Sequence, residues 1–217
     1  MDIDHIQSIL SEFNLTFEMK DQLTITVDAS LIEHVASKLK SDLHMDCLLD
    51  LCGVDYLHYG ISEWVTNDAT EVGYSRAQAQ GLSDASTWQG PRFMVVIHLL
   101  SYEHKYRLRL KVALGDDLMM PTLTSLWASA NWYEREAYDL FGIVFDRHPD
   151  LRRILTDYGF QGYPFRKDFP LVGTKEIRYD AQAGKCVYEP VSIENRIGVP
   201  KVIRNDHRYI NEEDDAR

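Results

Sequence analysis

The sequence predicts an α+β protein in which helices pack on a small, mostly antiparallel sheet and a long extended C-terminal tail follows. Three observations support this prediction. Residues 93–112 carry the apolar pattern of a β-hairpin, and residues 3–13 and 31–39 carry apolar side chains at helical spacing. Five of the seven prolines lie in residues 146–217, where they leave no room for a helix of ordinary length. We therefore expect a globular domain over residues 1–145 and an extended segment over residues 146–217.

The first part of the chain alternates helix and strand patterns. Residues 3–13 repeat isoleucine, leucine and phenylalanine at helical spacing and predict an amphipathic helix. In residues 23–27 apolar side chains alternate with threonines, which is typical of a half-buried strand. The helix predicted over residues 31–39 needs acceptors for its first N–H groups, and Asp28 or Ser30 is expected to cap it.

The strongest strand signal lies in the middle of the chain. Residues 47–54 fit a buried strand or a short helix, and their periodicity leaves both open. Residues 60–91 are polar and predict a long loop or insertion. Residues 93–100 then form a continuous apolar strand, and residues 105–112 alternate between apolar and basic side chains. The basic face is expected to be solvated, with docking to an acidic partner as the alternative, and it comprises Lys105, Arg107, Arg109 and Lys111.

Two helices are predicted between the hairpin and the tail. Residues 123–127 suggest the first helix, and the second begins near Asn131. Asn131 and Glu134 have the spacing of a capping box, in which each side chain accepts a hydrogen bond from the other residue's N–H. Gly142 is well placed to end this second helix.

Composition and charge exclude several classes of protein. The chain has 217 residues and a net charge of −11; by count, the tail is neutral and all of the excess acid lies in residues 1–145. A nucleic-acid partner is not expected, because it would require a basic surface. The three cysteines do not predict a disulfide framework. The acidic N-terminus does not resemble a signal peptide, and the apolar run of residues 93–100 is too short to span a bilayer. Any association with a membrane is therefore expected to be indirect.

Motifs for cofactors and catalysis are not found. Cys47 and Cys52 are five residues apart, which puts them on opposite faces of a strand, so that they cannot easily bind one metal ion. The chain has no glycine-rich phosphate loop and no nucleophile elbow. Glu134, Glu136 and His148 form the strongest candidate acid/base cluster, which a free-standing hydrolase would use.

A structural role for these charged residues is the alternative that we favour. Arg135 and Asp139 are spaced as an i,i+4 ion pair on the second helix. Arg152 and Arg153 lie within reach of the same acidic helix, where they would fix the direction in which the tail leaves the domain. The aromatic-rich segment that follows is expected to bind another protein's surface; its anchors are Phe160, Tyr163, Phe165 and Phe169, flanked by Arg166, Lys167 and Asp168.

The charged helix and the segment after it resemble a known family. The residues that carry the resemblance are Glu134-Arg135-Glu136, Asp139-Leu-Phe-Gly142 and His148-Pro-Asp-Leu-Arg-Arg-Ile-Leu155, with further matches at Thr156–Phe160, Gly162–Leu171, Tyr188–Val191, Val95–Leu100 and Arg107–Val112. Together they resemble the C subunit of the proton-pumping NADH–quinone oxidoreductase, respiratory complex I. The resemblance covers most of residues 45–210. Since the chain stops at Arg217, it resembles the stand-alone proteobacterial type.

The resemblance implies a function and a location. It implies a non-catalytic subunit in the peripheral arm of complex I, on the cytoplasmic side of a bacterial inner membrane, where electrons pass from NADH to quinone and protons are translocated. No cofactor is implied for this chain, since flavin and iron–sulfur clusters belong to partner subunits. The implied partners are the D subunit, around which the tail would wrap, and the cluster-carrying B and I subunits. An equivalent subunit of a membrane-bound hydrogenase, or of a complex with another electron donor, is the nearest alternative.

Overall fold

The computed structural model describes residues 3–19, 21–59 and 88–192. The chain forms two compact units, of which the first comprises Met1–Leu57 and Gly90–Pro170 and the second His58–Gln89 and Leu171–Arg217. The sequence prediction put the end of the globular domain at residue 145, whereas the first unit continues to Pro170. The predicted loop at 60–91 lies largely outside the described residues.

The first unit is built on a five-stranded sheet. Its elements are α1 (Ile3–Ile9), β1 (Thr16–Met19), β2 (Leu23–Asp28), α2 (Ile32–Asp42), β3 (Cys47–Asp55), β4 (Phe93–Ser101), β5 (Tyr106–Ala113), β6 (Met119–Pro121), α3 (Ala130–Phe141) and β7 (Val144–Asp146). The strand order of the sheet is β1-β2-β5-β4-β3. Three of its four strand pairs are antiparallel, and β2 pairs with β5 in parallel. The predicted fold class, α+β with a mostly antiparallel sheet, is confirmed.

One hydrophobic core joins the sheet to the helices. The alternation predicted for β5 is confirmed, because Leu108, Leu110 and Val112 are fully buried while Arg107 stays exposed. The core also contains residues from the three helices, among them Ile6, Ile32, Val35, Leu39 and Ala137. Each fully buried aliphatic side chain contributes about 1.5–3 kcal/mol to folding, so this core is the main source of stability.

Two details of the N-terminal helices differ from the prediction. Helix α1 ends at Ile9 rather than at residue 13. Helix α2 begins at Ile32 and has no side-chain cap. Asp28 contributes its backbone carbonyl, which accepts the N–H of Leu31 at 3.0 Å. The predicted side-chain cap by Asp28 or Ser30 is therefore wrong, because a backbone turn takes its place.

The segment between β6 and α3 is a series of turns. The helix predicted over residues 123–127 is wrong. The N–H groups of Leu126 and Trp127 both donate to the carbonyl of Leu123, and these bonds form turns that do not extend into a helix within residues 123–127. The indole N–H of Trp127 donates to the carbonyl of Met45 at 3.0 Å. The apolar spacing of this segment therefore reflects tight turns that bury Trp127.

Helix α3 lies against the outer strand β3. The hydroxyl of Tyr133 donates to the carbonyl of Leu49 at 3.0 Å, so α3 satisfies part of the free edge of the sheet. Ser129 is the N-cap residue and makes no side-chain capping bond. The predicted capping box of Asn131 and Glu134 is wrong, because Glu134 turns into the protein interior. The predicted stop at Gly142 is confirmed: its φ is 76° and its N–H donates to the carbonyl of Tyr138.

The described tail residues of the second unit form a hairpin that the sequence analysis did not predict. Its strands are β8 (Lys175–Asp180) and β9 (Lys185–Pro190), which pair antiparallel. Gly184, with a φ of 63°, lies in the turn that joins them. Arg178 and Glu189 form an ion pair across the strands at 2.9 Å.

Candidate functional site

Residues 146–170, called here the anchor segment, contain most of the predicted site residues. They belong to the first unit and lie against the helix α3 that precedes them in the chain. The contacts that hold the segment come from helix α3, from the end of β3 and from the start of β4. They determine which predicted residues are used inside the chain and which remain available to a partner.

The carboxylate of Asp139 holds the start of the anchor segment. Its side chain is fully buried, and it accepts the backbone N–H groups of Ile154, Leu155 and Thr156 at 3.0, 2.7 and 2.9 Å. The Thr156 hydroxyl donates to it at 2.5 Å and Arg153 at 2.9 Å. Burial alone would raise the pKa of this carboxyl, but the hydrogen bonds from Thr156, Leu155 and Ile154 lower it well below its usual range.

Arg135 binds the same loop from the same helix. Its guanidinium donates to the carbonyls of Arg152 and Arg153 at 3.2 and 3.5 Å. The predicted i,i+4 pair of Arg135 and Asp139 is therefore wrong. Both side chains lie on one face of α3, and each bonds to the chain that crosses this face instead of to the other. Since an exposed helix pair is worth only about 0.3–0.5 kcal/mol, the bonds to the loop, several of which reach the buried Asp139 carboxylate, outweigh it.

Two arginines of the anchor segment stack on aromatic rings. The Arg153 guanidinium lies 5.7 Å from the Phe160 ring and 5.2 Å from the Tyr163 ring. The Arg166 guanidinium lies 4.6 Å from the same Tyr163 ring and 5.1 Å from the Phe93 ring. These cation–π contacts link the segment to strand β4. The Arg166 side chain also donates to the carbonyl of Phe141 at 2.6 Å.

A second buried carboxylate holds the end of the anchor segment. The Asp55 side chain is fully buried and accepts two bonds from Arg92, both at 2.9 Å. It also accepts the backbone N–H of Lys167 at 2.9 Å, and Arg92 pairs with Asp168 at 3.0 Å. Burial opposes ionisation, but the bonds from Arg92, Lys167 and Leu57 lower the pKa of Asp55. Asp55 and Arg92 were not among the predicted site residues, because in the sequence only their charge distinguishes them.

The four aromatic residues predicted as anchors make contacts within the chain. Phe160 and Phe169 have ring centroids 6.0 Å apart, and the Tyr163 ring contacts both arginines. The backbone N–H of Phe165 donates to the carbonyl of Leu140 at 3.1 Å. The Phe165 ring contacts Phe141 edge-on yet remains 58% exposed. Of the four, Phe165 thus presents the largest exposed ring surface.

The predicted acid/base cluster is only partly assembled. Glu134 is fully buried, and its carboxylate accepts the N–H of Leu123 at 2.7 Å and the hydroxyl of Thr122 at 2.5 Å. Burial raises the pKa of Glu134 to about 7, although these two bonds oppose the shift. Glu136 lies elsewhere, on the outer face of α3.

His148 lies beside Glu134 but has its own partners. Its side chain is fully buried, with Nε2 3.8 Å from the Glu134 carboxylate and 3.2 Å from the carbonyl oxygen of Asn131. Its Nδ1 accepts the backbone N–H of Asp150 at 3.0 Å. The proton of a neutral ring is therefore on Nε2, which donates to Asn131. These bonds fix the His148-Pro-Asp turn at the start of the anchor segment.

Across residues 3–19, 21–59 and 88–192, no group of three or more His, Cys, Asp or Glu side chains is arranged to hold a metal ion. None of the helices in these ranges has the length and apolar character needed to cross a bilayer.

Residues 25–175 match the family model described as the 30 kDa subunit of respiratory-chain NADH dehydrogenase. The chain belongs to this family. It is 50% identical over 212 residues to the C subunit of NADH-quinone oxidoreductase from Coxiella burnetii (strain Dugway 5J108-111), covering 94% of this chain and 93% of the relative. It is 51% identical over 212 residues to the protein of the same name from Legionella pneumophila (strain Corby), covering 97% and 91%. The resemblance found in the sequence is confirmed.

Two solved structures have a similar fold. A trypsin-resistant fragment of Nqo5 is 28% identical, with a TM-score of 0.51, and the match covers 70% of this chain and all of the fragment. A chain of an archaeal membrane-bound sulfane sulfur reductase is 21% identical, with a TM-score of 0.54, over 78% of this chain and 86% of that chain. The second likeness shows the fold alone.

Proposed function

We propose that this chain is a non-catalytic subunit in the peripheral arm of an NADH–quinone oxidoreductase, where it positions neighbouring subunits that carry the flavin and the iron–sulfur clusters. Family membership and the names of relatives at about half identity support the complex. The observation that carries the non-catalytic role is the burial of Glu134, Asp139 and His148. Each is enclosed and bonded within the chain, so its chemistry serves the fold.

This burial also argues against a free-standing hydrolase. A general acid or base must come within hydrogen-bond reach of its substrate. Glu134 and His148 lie inside the first unit, and the third member of the predicted cluster, Glu136, points to a different surface. A hydrolase would need these three groups in one open cleft. The rival is tested by hydrolase assays on the purified chain, for which we expect no turnover.

The hairpin of the second unit has an exposed apolar face, which supports the proposal that the tail contacts a partner. Its hairpin pairs Ile177 with Tyr188, and both side chains are more than half exposed, as is that of Tyr179 on the same face. The opposite face carries the ion pair of Arg178 and Glu189. A two-stranded hairpin alone is only marginally stable in water. A partner that covers the apolar face would stabilise it, and the D subunit is the proposed partner, with the B and I subunits as further neighbours.

The electron donor distinguishes this proposal from its nearest alternative. The fold also occurs in the sulfane sulfur reductase, so fold alone does not identify the donor. Relatives of about half identity over nearly the whole chain favour NADH. The proposal places the chain on the cytoplasmic face of a bacterial inner membrane, attached through the complex, with no nucleic acid as partner.

Deletion and complementation test the proposal. Removal of the gene is expected to abolish NADH-driven quinone reduction in isolated membranes and to leave an incomplete complex on native gels. Re-expression of the full chain is expected to restore both. An intact, active complex without the chain would overturn the proposal. A Glu136→Gln variant tests for catalysis: turnover per assembled complex should equal that of the wild type, and a large loss in a fully assembled complex would indicate a catalytic role.

A further inference from the structure

The surface between helix α3 and the anchor segment carries an apolar groove with one acidic wall. Its lining residues are Ala128, Ser129, Trp132, Tyr133, Glu136, Ile154 and Leu155. Trp132 is 72% exposed and Leu155 61% exposed. Single exposed apolar side chains are common on protein surfaces, but adjacent large ones that line a groove mark an interaction surface.

We propose that this groove, called here the Trp132 groove, docks an apolar segment of another subunit of the complex, with a lysine or arginine of that segment paired to Glu136. The inference rests on the proposed function and names the surface through which the chain acts. Three observations support it.

The first observation is that the aliphatic wall of the groove is held in place from below. The loop that bears Ile154 and Leu155 directs its backbone N–H groups into the Asp139 carboxylate, and Arg135 bonds the carbonyl before it. The polar side of the loop is thus satisfied inside the protein while its apolar side chains face outward. Because this wall is already ordered in the free chain, binding a partner costs little conformational entropy, which favours tight docking.

The second observation is the chemistry of the opposite wall. Trp132 and Glu136 are four residues apart and therefore share one face of α3. Tryptophan is among the residues that contribute most binding energy at protein interfaces. Tyr133 beside it is fixed by its bond to the carbonyl of Leu49, so the helix face is also ordered.

The third observation is charge. Among the described residues, Glu136 has no ion-pair partner. A second carboxylate, Asp50, adds to the negative charge around Cys52. Burial raises the pKa of the Cys52 thiol, and the charges of Asp50 and Glu136 raise it further. An unpaired carboxylate at the edge of an apolar groove selects a cationic group. This complementarity favours an apolar segment with a cationic side chain over a second copy of this acidic chain.

A competition experiment in cells measures the groove's contribution. A tagged full-length variant is expressed beside the untagged wild-type chain, and their ratio in the purified complex reports relative binding. Trp132→Ala and Leu155→Ser are each expected to be about tenfold under-represented. Tyr102→Ala is the matched control, since Tyr102 is 67% exposed on the same unit, and it should incorporate like the wild type. If Trp132→Ala and Leu155→Ser are incorporated as well as Tyr102→Ala, the inference is overturned.

The acidic wall is tested by two substitutions at one position. Glu136→Lys is expected to incorporate less than Glu136→Gln, and Glu136→Gln less than wild type, because the variants reverse and remove one charge. Equal incorporation of the two would overturn the ion pair. Thermal unfolding of each purified full-length variant should match the wild type, since the three substituted side chains line the groove at the surface.

Cross-linking identifies the occupant. A photo-reactive phenylalanine analogue at position 155, activated in the purified complex, should join this chain to a peptide of another subunit with apolar residues beside a lysine or arginine. A link to this chain itself, to a second copy or to lipid would contradict the inference. If the wild-type chain does not co-purify with the complex at all, the proposed function fails; if it does and the variants behave as wild type, only the groove fails.

Discussion

Asp139 and Arg153 are fourteen residues apart in the chain, and their side chains meet at 2.9 Å in an ion pair whose carboxylate is fully buried. This pair joins the last turns of α3 to the anchor segment. Residues 146–170, which the sequence predicted as part of a partner-wrapping tail, are therefore part of the first unit. The same carboxylate orders the loop that forms one wall of the Trp132 groove.

Asp139→Asn tests this buried pair. The amide leaves Arg153 without its counter-charge and presents donors where backbone N–H groups also point. Breaking a buried pair on one side costs about 3–5 kcal/mol, so we expect a loss of about 3 kcal/mol in the free energy of unfolding, measured by urea denaturation at pH 7. The wild-type pKa is lowered, so the contribution of Asp139 is present above the ordinary aspartate pKa and is lost as the pH falls through the folded-state value. Asp157→Asn, on an exposed residue, is the control and should change little.

Arg153→Lys tests the stacking geometry. Lysine keeps the positive charge but lacks the planar fork that also donates to the carbonyl of Gly162 and lies against Phe160 and Tyr163. The expected loss is about 2 kcal/mol. Arg152→Lys is a control one residue away, because exposed Arg152 pairs only with Asp150 among the described side chains. Equal effects of the two substitutions would contradict the buried role of Arg153.

Gly142→Ala tests the close approach between α3 and the anchor segment. Both Gly142 and Gly159 have positive φ, of 76° and 85°, so alanine at either position costs about 1 kcal/mol. An added Cβ at Gly142 would also lie 2.7 Å from Tyr163 and Arg166, whereas Gly159 has open space. Gly142→Ala should therefore be clearly the more destabilising in thermal unfolding. Similar melting temperatures for the two variants would show that the segment does not lie against Gly142.

Glu134→Gln tests the buried carboxyl through its pH dependence. Burial raises the folded-state pKa of Glu134 to about 7 from an ordinary 4.5. The contribution of Glu134 to stability is thus fully present below pH 4.5 and is lost as the pH rises through 7, by about 3 kcal/mol. Glutamine keeps an acceptor for the Leu123 N–H and carries no charge. The stability of the variant relative to wild type should therefore increase between about pH 5 and pH 8.

The control for that measurement is Glu136→Gln on the outer face of the same helix. Its stability difference from wild type should be nearly the same at both pH values. Parallel pH profiles for Glu134→Gln and wild type would mean that Glu134 is ionised in the folded protein without penalty.

Features set by local spacing were predictable from the sequence. Helix α2, the β4–β5 hairpin and the stop at Gly142 each depend on residues within a few positions, where periodicity and backbone preference decide. The hairpin at 175–190 also carried an alternating pattern with a glycine turn, and it was missed because the prolines suggested an extended chain.

Features set by distant partners were not predictable. The parallel pairing of β2 with β5 joins segments far apart in the chain, such as Leu23 and Leu108, and no local pattern encodes its register. The Asp55–Arg92 pair meets Lys167 across 112 residues. Arg135 and Asp139 had the spacing of a surface pair, but a loop that crosses the helix offers backbone groups to both side chains. Charged residues therefore signalled importance but not their partners.

Hydrogen exchange tests whether the anchor segment is held by this chain itself while the hairpin beyond it is completed by a partner. It is measured on the isolated full-length chain and on the assembled complex. We expect slow exchange in the isolated chain for the amides of Ile154, Leu155, Thr156, Phe165 and Lys167, which donate to Asp139, Leu140 and Asp55. The amides of β8 and β9 should exchange quickly in the isolated chain and slowly in the complex. Fast exchange at residues 154–167 in the isolated chain would show that this chain does not hold the anchor segment by itself.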